Sequence, residues 1–176
     1  MKAIVIYKSK TGFVKKYAQW IAEELSADIS EASKVTIDTL TPYDTVIYGG
    51  GLYASGINGV KLITQNLNKL KGKIIVVFAS GASPSRVDAI SEVKNNNFTA
   101  EQQKQIEFFY LRGGFDYNRL NTFYKMIMLL LKWKLKTRTK AGLTPDESGM
   151  LTAFDKPVDF TSKENIYEII SYVTSK

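Results

Sequence analysis

Neither cysteine nor histidine occurs anywhere in the 176-residue sequence. That absence removes disulfides, thiolate catalysis, iron–sulfur ligation, the usual zinc sites and any Ser-His-Asp triad. No metal centre is expected. Internal repeats and low-complexity tracts are missing, and no run reaches the roughly 18–20 apolar residues that span a bilayer. The start, Met1-Lys2 followed by Ala3-Ile4-Val5-Ile6-Tyr7, lacks the long apolar stretch and small-residue cleavage site of a signal peptide and reads as a buried strand. A cytoplasmic location is the expectation. A chain without redox or acid–base specialists of its own can still do redox chemistry through a bound organic cofactor.

What is present is an ordinary hydrophobic fraction of 44% and a net charge of +7. The length suits one domain, 1–176, with enough chain to bury a core. The positive balance fits an acidic partner, such as phosphates, nucleic acid, an anionic membrane surface or an acidic protein; it equally fits a lysine-rich solvated surface. No nucleic-acid recognition motif supports that partner, and none is expected.

Along the chain, continuous apolar runs alternate with helical patterns. Lys2–Tyr7, Thr45–Tyr48, Lys73–Ala79 and Ile106–Leu111 read as buried strands, and Asp28–Glu31 as a weaker one. Val14, Tyr17, Ala18, Ile21, Ala22 and Leu25 recur at helical spacing. Helices are also expected near Asn58–Leu70 and over Ser85–Lys94, with Asn95-Asn96-Asn97 as a break and a capping-box restart at Thr99–Gln102. A last helix with Ile166, Ile169, Ile170 and Val173 on one face follows a cap at Thr161–Glu164. This alternation argues for an α/β fold with a parallel sheet covered on both faces, a three-layer sandwich, and five strands with helices on both sides fit the order 2-1-3-4-5. About Phe115–Pro157 is too long for an ordinary connection and reads as an insertion between strand 5 and the last helix.

Ligands of such sheets bind beyond the carboxyl ends of the strands. Three loops leave those ends. In Ser9-Lys10-Thr11-Gly12-Phe13-Val14, hydroxyls at 9 and 11, a turn glycine and the following helix N-terminus suit a phosphate; an ordinary helix cap would use the same residues. Neither G-x-G-x-x-G nor a Walker loop occurs. In Gly49-Gly50-Gly51-Leu52-Tyr53-Ala54-Ser55-Gly56, the glycines permit close approach to a flat ligand and Tyr53 offers a stacking face; a flexible loop with an exposed tyrosine is the alternative. Ser80-Gly81-Ala82-Ser83-Pro84-Ser85 would close the other side of a planar ring, or cap the next helix.

Together the loops resemble the flavodoxin family. The first follows its S-x-T-G-x-T signature as Ser9-x-Thr11-Gly12, preceded by Ile6-Tyr7 and followed by Ala18. The resemblance covers strands one to five and the last helix. It implies non-covalently held FMN, with Ser9, Lys10, Thr11, Gly12, Phe13 and Val14 around the phosphate. It further implies that Gly50, Gly51, Leu52, Tyr53, Ala54 and Ser55, with Ser80, Gly81, Ala82 and Ser83, flank the isoalloxazine. The final hydroxyl of the signature is Val14 here, which removes a side-chain hydrogen bond of about 1–2 kcal/mol. Electron-carrier flavodoxins are typically acidic, whereas this chain is basic. Phe109-Tyr110-Leu111-Arg112-Gly113-Gly114-Phe115-Asp116-Tyr117 is similar to the strand-to-insertion junction of the menaquinone-dependent protoporphyrinogen dehydrogenase branch.

Within the insertion, Phe123–Lys136 reads as a helix with Lys125, Lys132 and Lys136 on one face, Lys134 opposite, and a broad apolar surface. Peripheral membrane contact, contact with an apolar substrate such as a quinone or tetrapyrrole, packing on its own domain, a homodimer contact and an unidentified protein partner all fit. Arg112, Arg119, Lys136, Arg138 and Lys140 would meet propionates or lipid phosphates, or form a solvated rim. Three functions follow: an FMN-dependent oxidoreductase, acting on protoporphyrinogen or a related small-molecule substrate with a quinone acceptor; a one-electron carrier serving a redox partner; and a binding module without FMN.

Overall fold

The computed structural model describes residues 2–53, 55–137 and 142–176, with only the backbone of Pro145 and Asp146. Ala54, Arg138 and Lys140 lie outside the described residues. Five strands, β1 (Ala3–Lys8), β2 (Asp28–Glu31), β3 (Thr45–Tyr53), β5 (Ile74–Gly81) and β6 (Ile106–Arg112), pair in parallel in the order β2-β1-β3-β5-β6. Counted along the parallel strands, this is the expected 2-1-3-4-5. A short β4 (Gly56–Ile57) folds back antiparallel on the end of β3.

Strand periodicity divides the core in two. Ile4, Ile6, Val46, Tyr48, Ile75, Val77, Ile106 and Phe108 face one side of the sheet. There they meet Ile63 of α2 (Lys61–Thr64), Leu67 and Leu70 of a 3₁₀ turn, and Val93 of α3 (Val87–Asn97). Val5, Ile47, Val76 and Phe78 face the other side, against α1 (Phe13–Leu25) and α7 (Tyr167–Thr174). Fully burying each large aliphatic side chain contributes about 1.5–3 kcal/mol.

Four local expectations are corrected. The glycine segment after Tyr48 is not a loop, because β3 continues through it to Tyr53. Gly49 and Gly50 pair in register with Phe78 and Ala79 of β5, and a Cβ on Gly49 would collide with the Phe78 ring. The helix expected near Asn58–Leu70 is broken: Asn58 N–H is bonded to Gly51 O at 3.0 Å and Gly59 has φ +76°, so only α2 and the 3₁₀ turn form. Asn95–Asn97 do not break α3. Asn97 Nδ2 donates to Val93 O (2.8 Å) and Ser55 O (2.7 Å), and its Oδ1 accepts from Ile57 N–H (2.8 Å), so its side chain stitches α3 to β4. Thr161 does not cap the last helix, because Asp159 Oδ1 takes both its N–H (2.9 Å) and its hydroxyl (2.6 Å). The capping box opening α4 (Ala100–Gln103) forms as expected.

The insertion leaves and returns through a two-stranded pair, β7 (Gly114–Phe115) with β8 (Val158–Asp159). Between them lie α5 (Thr122–Lys136), whose first turn is capped by Asn121 Oδ1 accepting from Tyr124 N–H at 3.0 Å, and α6 (Pro145–Asp155), opened by a Thr144–Glu147 capping box. Among the described residues, no helix is long and apolar enough to cross a membrane.

Candidate functional site

A cavity of about 630 Å³ lies beyond the carboxyl ends of β3 and β5, where all three loops converge. Its volume is in the range of small-molecule and cofactor sites.

The first loop forms one end. Gly12, at φ +96°, turns the chain from β1 into α1, a conformation that suits glycine. Its N–H donates to Ser9 Oγ at 3.1 Å, which holds the loop closed. No side chain caps α1, so the first backbone N–H groups and the positive end of the helix dipole are left for an anion. Lys10, Thr11, Phe13 and Val14 line the cavity, whereas Ser9 and Gly12 shape the loop from outside the lining. Val14 is 4% exposed and belongs to the core against Tyr17 and Ile21. One further cation arrives from the insertion. Arg119 donates from Nη1 to Thr11 O at 3.1 Å, and its Nε lies 3.1 Å from Asp116 Oδ2.

The end of β3 forms a wall. Gly51, Leu52, Tyr53 and Ser55 line the cavity, but Gly50 does not. A Cβ on Gly50 would lie 2.6 Å from Ile57 Cγ2 and 2.8 Å from Asn58 O, so this glycine serves the β3–β4 hairpin. The Tyr53 ring packs on Tyr124 of α5, with centroids 4.8 Å apart, and Lys10 Nζ lies 3.7 Å from the Tyr124 centroid and 4.9 Å from that of Tyr53. Burial, together with the nearby Tyr124, pushes the Tyr53 hydroxyl up to about 12.

Ser80, Gly81, Ala82 and Ser83 form the facing wall. Ser80 Oγ is buried without a hydrogen-bond partner among the described residues, and Ser80 borders the cavity. An orphaned buried hydroxyl costs roughly 1–3 kcal/mol, which a ligand's polar edge would offset. Tyr110 donates its hydroxyl to Ser83 O at 2.8 Å, and Gly113 N–H bonds Gly81 O at 2.7 Å, so β6 fixes this loop. Arg112 lies with its guanidinium over the Phe160 ring at 3.7 Å.

Sequence reasoning missed the roof. Leu120, Tyr124, Ile127, Met128 and Leu131 project into the cavity from the α5 segment, and Met150 from α6. The 124, 127, 128, 131 spacing was the available signal, but the apolar residues all round the helix concealed which face turns inward. The site thus has Lys10 and Thr11 at the α1 end, serines and Glu92 along the strand-end walls, and apolar side chains in the roof. That arrangement suits a ligand with a phosphate at one end and a flat ring at the other.

Fold and cavity together define a doubly wound α/β protein whose first strand is followed by a glycine turn and a helix N-terminus that no side chain caps. The chain belongs to the flavodoxin-domain family, whose model matches residues 4–141, and this membership supports the FMN expectation. A 54-residue segment is 43% identical to an uncharacterized protein of Methanocaldococcus jannaschii; it covers 30% of this chain and 36% of that relative, so little more than a third of the relative's length is spanned. Three solved structures are similar in fold. The two-electron reduced flavodoxin of Megasphaera elsdenii is 18% identical, with TM-score 0.45, covering 61% of this chain and 84% of that one. Oxidised flavodoxin 2 of Bacillus cereus is 19% identical, with TM-score 0.45, covering 64% and 84%. A flavoprotein of Lactobacillus acidophilus in complex with FMN is 15% identical, with TM-score 0.43, covering 63% and 91%.

Proposed function

We propose that this chain is an FMN-dependent oxidoreductase acting on a small, flat, apolar electron donor or acceptor admitted beneath α5. The observation that carries the reading is the roof: Leu120, Ile127, Met128, Leu131 and Met150 place an apolar cover over part of the carboxyl ends of the strands. A carrier that docks on protein partners needs an open, charge-ringed edge at this position instead. When bound, FMN supplies the electron-accepting and electron-donating chemistry that the side chains lack. The residues divide the remaining work. The first loop, Lys10 and the α1 N-terminus hold the phosphate; Gly51–Tyr53 and Ser80–Ser83 orient the ring; and the roof excludes water. Arg119, which lies just outside the cavity lining, bonded to Thr11 O and paired with Asp116, brings a charged donor to the loop whose signature hydroxyl is replaced by Val14. Protoporphyrinogen with a quinone acceptor is the pair that the Phe109–Tyr117 resemblance suggests.

The visible spectrum of the purified protein, before and after excess FMN and desalting, tests the cofactor. Turnover with porphyrinogens and quinones tests the substrate class. Retained flavin with turnover supports the oxidoreductase. Retained flavin that exchanges electrons only with redox proteins overturns it in favour of the carrier, and a protein that retains no FMN leaves the binding module.

A further inference from the structure

The helix that roofs the cavity also carries an apolar face on its outside. Phe123, Met126, Leu129, Leu130 and Trp133 point away from the protein, with Leu130 64% and Trp133 69% exposed. At about 100° per residue, these five fall in a single arc of the helix. Lysines border the arc on both sides: Lys125, Lys132 and Lys136 along one margin and Lys134 along the other. No carboxylate lies on the helix. Lys132 is tied down by Asp155 at 3.0 Å, while Lys134 and Lys136 are exposed at the end nearest Trp133.

We propose that this outer face of α5 docks on an anionic membrane surface, with the helix lying in the plane of the interface. The five apolar side chains would enter the boundary between headgroups and acyl chains, and the lysines would extend to lipid phosphates. The lysine margins and the chain's net charge of +7 are complementary to such a surface. A second copy of the chain fits the face less well. A 15-residue helix is about 22 Å long, and one stripe about 10 Å wide offers roughly 220 Å², against about 800 Å² per partner in a stable interface. A two-fold contact would also set lysine margins against each other. The proposal is independent of FMN, because the inner face of α5 serves the cavity and the outer face serves the bilayer.

Vesicle flotation of the full chain tests it, with vesicles of equimolar phosphatidylglycerol and phosphatidylcholine beside vesicles of phosphatidylcholine alone. The chain has 2 tryptophans, so Trp20→Phe leaves Trp133 as the sole reporter. The expected result is flotation with the anionic vesicles only, with Trp133 emission shifted to the blue and quenched by brominated lipid. Leu130→Glu should abolish flotation without changing the melting temperature, since the side chain is exposed. Lys134→Gln and Lys136→Gln should each weaken partitioning about fivefold. Absence of flotation, equal flotation on neutral vesicles, or wild-type flotation by Leu130→Glu would each overturn the proposal. So would a concentration-dependent dimer that Leu130→Glu dissolves while vesicles bind neither form, which would identify the occupant as a second copy.

Discussion

Two adjacent glycines should respond in opposite ways to the same added methyl group. A Cβ on Gly50 would sit 2.6 Å from Ile57 Cγ2 and 2.8 Å from the backbone oxygen of Asn58. The isoleucine methyl has some freedom, but the carbonyl is fixed, because it accepts the Tyr48 hydroxyl at 2.8 Å and the Asn58 N–H is bonded to Gly51 O at 3.0 Å. Overpacking of this kind costs about 1–3 kcal/mol. Loss of glycine's freedom in the unfolded chain returns about 0.4–1 kcal/mol. The net loss for Gly50→Ala is about 1–2 kcal/mol, and for a chain of this length the melting temperature should fall by roughly 2–8 °C. A Cβ on Gly51 meets nothing nearer than Tyr53 Cε2 at 3.5 Å and projects towards the cavity. Gly51→Ala should therefore keep or slightly raise the melting temperature while weakening FMN retention. Thermal unfolding followed by circular dichroism, on protein freed of cofactor so that binding does not contribute to stability, measures the first quantity; FMN titration measures the second. A wild-type melting temperature for Gly50→Ala, or a Gly51→Ala variant less stable than Gly50→Ala, would refute the assignment of Gly50 to the hairpin and Gly51 to the site.

Arg119→Ala should weaken FMN binding about fivefold, corresponding to about 1 kcal/mol at an exposed position, with little effect on unfolding; an unchanged dissociation constant in a fluorescence titration would remove Arg119 from the phosphate end. Tyr53 gives a pH dependence. Its hydroxyl is raised by burial, and secondarily by Tyr124, from 10.0 to about 12, so the folded state favours the neutral phenol. The stability it contributes is fully present below pH 10 and is lost as pH rises towards 12. Denaturant midpoints across that window should decline less in Tyr53→Phe than in the wild type, and parallel declines would contradict the burial argument.

Much of the sheet was legible because continuous apolar runs such as Ile74–Phe78, alternating with helical patterns, point to buried parallel strands covered on both faces. The failures have a common physical origin. Gly49 and Gly50 look like loop residues until the Phe78 ring and Ile57 are placed beside them, and both contacts come from other strands. Asn97 looks like a helix breaker until Ser55 and Ile57 appear as partners for its amide, about forty residues away in sequence. In each case a residue with poor local propensity is retained by a long-range contact that no window of sequence contains. That the first and third loops border the cavity was legible because Gly12 and the strand ends signal their own geometry. The bond from Arg119 to Thr11, across a separation of 108 residues, signals nothing locally.

The same bond explains how the insertion and the first loop belong together. The family signature places a hydroxyl where this chain has Val14, and Val14 is committed to the core that α1 forms with the sheet. Restoring a threonine there would bury a hydroxyl among Tyr17, Ile21 and Phe78 unless its oxygen reached the ligand. The chain instead brings a guanidinium to the loop from outside, through a segment anchored by the β7–β8 pair and held over the cavity by the Tyr53–Tyr124–Lys10 cluster. On the proposed reading, the phosphate end of the site then depends on the insertion being seated, whereas in a fold without the insertion it would depend on the loop alone. α5 is apolar all round for a related reason: one face completes the chamber, and the opposite face, bordered by lysine, has no partner within the described residues.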